Sequence, residues 1–197
     1  MRAPAPAPVL AGEARTARVD TELRDAGPLG VVATVVAVVL AVGSAGLSLY
    51  WAVGDGALLD TMGGSTERWG REGGGLAAVA LVGWAVVKLA VAAATVVATG
   101  ALTDRPPSRW VRVVAWLTAA QLAVYGGLLT IGGLLVETGL VTPPDTADRH
   151  AITWHALLWD PWTALWGVAV AVALWSTRPW RAAAPLRHAM SRRRLRR

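Results

Sequence analysis

The chain has 197 residues, of which 54% are hydrophobic and 16% charged, with a formal net charge of +6. Soluble domains carry about a quarter charged residues, so this composition excludes an ordinary water-soluble fold. The absence of cysteine excludes a disulfide framework and any thiolate metal site.

Residues 1–27 open with alternating prolines (Met1-Arg2-Ala3-Pro4-Ala5-Pro6-Ala7-Pro8) and continue with mixed charge. Alternate prolines deny a helix its donors, so a disordered cytoplasmic tail is expected. Four apolar runs follow, near 29–53, 75–100, 110–136 and 154–176. Each meets the roughly 20 helical residues that a hydrocarbon core requires. The first is longer than the h-region of a signal peptide and reads as a retained span.

The first span carries Ala33, Ala37, Ala41 and Ala45 at i+4 spacing, a ridge that permits close helix approach. It ends in Tyr50-Trp51, an aromatic pair expected in an interfacial belt. The polar connection 54–74 is expected to hold a short surface helix between Asp60 and Trp69. Lys88, the only lysine, lies mid-way along the second span. Pro106-Pro107 stops that span, and Ser108 is placed to cap the third. On the third span Ala115, Ala119, Ala123 and Gly127 form a small-residue ridge, with Thr118, Gln121 and Tyr125 nearly opposite; protein is expected against both sides. The fourth leads into a basic tail, 178–197.

Basic residues number four before the first span, three around the 101–109 connection and eight after the last, against three in the alternate connections. The positive-inside rule therefore puts both termini in the cytoplasm. The fold class expected is all-α: an integral plasma-membrane bundle of four transmembrane helices over 28–177. The run Arg192-Arg193-Arg194-Leu195-Arg196-Arg197 carries no interleaved aromatics. It reads as an anchor on anionic lipid headgroups, at about 1 kcal/mol per basic residue, rather than as a nucleic-acid site.

Ionisable groups inside a span cost about 2.5–3.5 kcal/mol on insertion scales, so they face protein or water and have partners. The candidates are Lys88, Gln121 with Tyr125, and Asp160 with His155. Lys88 leans outward along its helix toward Asp160, which predicts a buried Lys88–Asp160 ion pair assisted by Gln121 and Tyr125. Asp160-Pro161 either caps the true start of the fourth span or kinks a helix that begins near Asp148. Asp160, Ala164, Gly167 and Ala171 share one stripe, aimed at a tightly packed neighbour. His155, Trp159, Trp162 and Trp166 make another, and Trp166 is deep enough to line a pocket. The i, i+5 spacing of His150 and His155 is not that of a helical metal pair. Phosphate loops, dinucleotide fingerprints and nucleophile elbows are absent, and neither a metal nor a cofactor is implied.

Leu49-Tyr50-Trp51-Ala52-Val53-Gly54, Tyr125-Gly126-Gly127, Trp154-His155 and Leu158-Trp159-Asp160-Pro161-Trp162, with Leu165-Trp166-Gly167, resemble a family of small four-helix actinobacterial membrane proteins. That family is catalogued as a domain of unknown function, and the likeness covers about 30–177. Asp55 and Thr163 depart from its pattern, where a second glycine and a bulky apolar residue are usual. The resemblance implies location and architecture, and no activity. Three functions fit these residues. The first is a structural or accessory membrane protein with a polar pair open toward the outer face. The second is a small enzyme acting on a lipid or isoprenoid, with Asp160 or His155 as acid or base. The third is a transporter or channel subunit, which would require a homo-oligomer.

Overall fold

A computed structural model describes residues 27–101 and 107–177. The expected cytoplasmic tails, apart from Gly27, lie outside the described residues. Within them the chain forms five helices and no strand. These are α1 (Gly27–Ala52), a short α2 (Gly64–Glu72), α3 (Gly74–Thr99), α4 (Arg109–Glu137) and α5 (Arg149–Ser176). All but α2 are long and apolar enough to cross a membrane. Their outward faces expose Val32, Val35, Val39, Val79, Leu117 and Leu128, a continuous apolar surface that suits lipid and not water.

Helix ends follow local chemistry. Ser108 Oγ accepts from Val111 N at 3.2 Å and Asp148 Oδ1 from Ala151 N at 3.1 Å, capping α4 and α5. Gly100, at φ 76°, closes α3 in the left-handed conformation. The surface helix α2 starts later than the sequence predicts. Residues 57–62 form turns instead, and Gly63 and Gly64, at the start of α2, both have positive φ, so helical backbone begins only beyond them.

Close packing is built on small residues. The α1 ridge of Ala33, Ala37, Ala41 and Ala45 is buried, and α1 packs on α3 and α5. Helices α4 and α5 meet most closely. A methyl group on Gly167 would fall onto the backbone of Ala123 and within 2.7 Å of the Ala119 carbonyl. One on Gly126 would meet the Ala164 backbone and lie 2.7 Å from the Asp160 carbonyl. The Asp160–Ala164–Gly167 stripe thus faces a packed neighbour. On α4, however, the contact glycine is Gly126 and not Gly127, beside which there is open space. The contact runs from Ala115 through Ala119 and Ala123 to Gly126, in steps of four, four and three residues, as a helix of 3.6 residues per turn requires of one face.

At the end of the bundle where α3 and α5 finish, Arg112 acts as a clamp. Its guanidinium donates to the Ala98 carbonyl at 3.1 Å and to the Leu174 carbonyl at 3.2 Å. Both belong to last helical turns, whose carbonyls lack intrahelical donors and carry the negative end of the dipole.

Candidate functional site

The fourth span is one helix that starts at Arg149, capped by Asp148, so Asp160-Pro161 does not open it. Proline has no N–H, and its ring would press on the carbonyl four residues earlier. The helix widens into a π turn over His155–Trp159, and Asp160 N bonds back to the His155 carbonyl, five residues away. This has a chemical consequence. In an α-helix, residues five apart stand about 140° apart around the axis. The π turn brings His155 and Asp160 onto one side.

His155 Nδ1 lies 3.1 Å from Asp160 Oδ1, and Nε2 lies 3.2 Å from the Met62 carbonyl oxygen. A carbonyl can only accept, so Nε2 carries a proton on that side. The Nδ1–Asp160 contact then requires a proton of its own, held by an imidazolium or by a neutral carboxyl. Either way the pair bears no net charge, the form favoured where Asp160 is 7% exposed within an apolar bundle.

Around this pair, aromatic side chains hold segment 55–63 across the bundle end like a strap. Trp159 Nε1 donates to Thr61 Oγ1 at 3.0 Å, and Thr61 in turn donates to the Leu58 carbonyl at 2.6 Å. Trp51 Nε1 donates to the Ala57 carbonyl at 2.8 Å, and its ring meets Trp159 edge-on at 6.0 Å. Trp51 is 6% exposed, so it closes the strap and is not the belt residue its position predicts. Leu59, within the strap, is buried against Gly70 of α2. Leu58 sits at φ 61°, the one non-glycine with positive φ among the described residues.

The predicted Lys88–Asp160 ion pair does not form. Lys88 Nζ donates to the Ser44 carbonyl at 3.1 Å and to Ser48 Oγ at 2.9 Å, both on α1. The lysine leans along α3 as expected, but α1 presents acceptors within its reach. Asp160 is turned to His155. Gln121 and Tyr125 join neither group, because both are exposed on the side of α4 away from α5. Trp162 Nε1 donates to the Leu40 carbonyl at 3.2 Å and its ring covers Gly43. Trp166, 5% exposed, belongs to the core with Ala37, Ala41, Ala119 and Val170, and its N–H has no partner. His150 Nε2 lies 3.4 Å from Asp60 Oδ2 at the surface.

A depression of about 630 Å³ opens between the end of α1, α2 and the start of α3, lined by Trp51, Asp55, Leu59, Arg71, Ala77 and Leu81. None of the titratable span residues His155, Asp160 and Lys88 lines it. Sequence reasoning missed the strap contacts of Thr61 and Met62 and the clamp role of Arg112. The first two carry no motif, and Arg112 counts in the sequence only as a topology charge.

The model of a protein family of unknown function, DUF3995, matches residues 41–170. The chain belongs to that family. The matched stretch runs from the second half of α1 into α5 and contains the strap, the π turn, His155 and Asp160. Among curated proteins and among solved structures there is no match.

Proposed function

We propose that this chain is a structural or accessory protein of the plasma membrane, with both termini cytoplasmic and the strapped end outside. The observation that carries the reading is that both ring nitrogens of His155 are engaged, with Asp160 and with the Met62 carbonyl. An enzyme acting on a lipid needs an acid or base turned toward its substrate. Here the pair that would serve is bonded within the chain and fixes a loop to a helix. Lys88 likewise spends its hydrogen bonds on α1. The orientation rests on the arginine distribution, which also sets the C-terminal basic run against anionic headgroups.

Asp160→Asn tests the reading. In mild detergent the variant is expected to lose about 1.5–3 kcal/mol, the range for a hydrogen bond to a charged group. A variant that melts like wild type while abolishing a cellular phenotype would instead favour acid–base chemistry at this pair.

A further inference from the structure

Helix α4 carries two seams. The one facing α5 is made of small residues, Ala115, Ala119 and Gly126. The other is exposed along its length: Val114, Leu117, Gln121, Val124, Leu128 and Ile131 alternate three and four residues apart. Such spacing is that of a helix–helix seam, in which a single polar residue sets register and partner number. Large aliphatics alone would be equally at home against lipid. Gln121 would not.

Gln121 lies about 18 Å of helix from Arg109 at 1.5 Å per residue, in the middle of a 29-residue span. No headgroup is within reach of its side chain, and among the described residues it has no hydrogen-bond partner. A carboxamide has two donor hydrogens and an oxygen that accepts, and leaving them bare in hydrocarbon is costly. The partner must therefore present donors and acceptors at the same depth. A second copy of this chain does so by construction. All copies insert with one orientation, so α4 meets α4 in parallel and a two-fold axis along the membrane normal brings Gln121 onto Gln121.

We infer that the chain dimerises through the exposed seam of α4, with the two Gln121 side chains hydrogen-bonded across the axis. The other helices agree with this choice of face. Of the four spans, α4 has the smallest share of its apolar window buried inside the single chain, at 11%.

The chain has no cysteine, so single cysteines report the interface without background. Leu117→Cys, Val124→Cys and Leu128→Cys would be oxidised in membranes beside controls at Val39→Cys on α1 and Val86→Cys on α3, both exposed. The expected result is a covalent product of two chains at the α4 positions and little at the controls. Adding Gln121→Leu should weaken dimerisation by about three- to tenfold, the scale of interhelical hydrogen bonds in membranes. Thermal melting would verify that each variant folds. Equal crosslinking at the controls, indifference to Gln121→Leu, or a product with a different protein would overturn the inference.

Discussion

Asp160 and His155 are five residues apart, and their bond exists because Pro161 removes a donor from the helix between Arg149 and Ser176. If the pair shares one proton, each side chain should lose most of its worth when the other is gone. A double-mutant cycle with Asp160→Asn and His155→Gln is expected to give a coupling of about 1–2 kcal/mol in thermal or chemical melts; additive losses would contradict the shared proton. Leu58 holds a left-handed backbone at the tip of the strap. Leu58→Asn, which tolerates that conformation, should raise stability by about 0.5–1 kcal/mol. At the start of the strap, the Tyr50 hydroxyl and then the Ala57 N–H hold Asp55 below the ordinary carboxylate range. The sign follows directly: its contribution is present above the unfolded value of about 3.9 and is lost as pH falls through the lower folded value. Melting of Asp55→Asn from pH 6 to pH 3 should therefore decline less than that of wild type. Both members of the His155–Asp160 pair were visible in the sequence as costly intramembrane groups. Their pairing was not, because α-helical periodicity puts them on different sides.

Among the elements, the contrast between two adjacent glycines is the sharpest test of packing. Gly126 abuts the backbone of α5, whereas Gly127 faces open space. Gly126→Ala should destabilise by about 1–3 kcal/mol through overpacking, while Gly127→Ala should gain about 0.5–1 kcal/mol from helix propensity. Similar effects of the two on melting would mean that α4 docks at a different rotation. The α1 ridge was legible in the sequence, since i+4 alanines on one face imply a close neighbour and that face is buried. The α4 ridge was legible only in part. A strict i+4 rule drifts off a face whose last step, from Ala123, is three residues, so it reached Gly127 in place of Gly126. The late start of α2 was hidden for a different reason: it depends on two glycines whose positive φ shows only once the strap is folded.

For the whole molecule, hydropathy marks the four long apolar helices, although the fourth begins at Arg149, five residues before its apolar run; a segment in a hydrocarbon core must satisfy its backbone within itself. What hydropathy could not convey is that one end of the bundle is closed. Three side chains, Trp51, His155 and Trp159, each reach segment 55–63, and none of these bonds is implied by sequence spacing. That closure underlies the structural reading of the His–Asp pair. Hydrogen exchange of the strap amides in lipid nanodiscs tests it most directly, since Leu59, Thr61 and Met62 N–H groups are bonded within the strap's own turns. In wild type these amides should be protected, and His155→Gln should speed their exchange while leaving α3 and α4 unchanged. Equal, rapid exchange in both proteins would contradict the claim that the pair holds the strap in place.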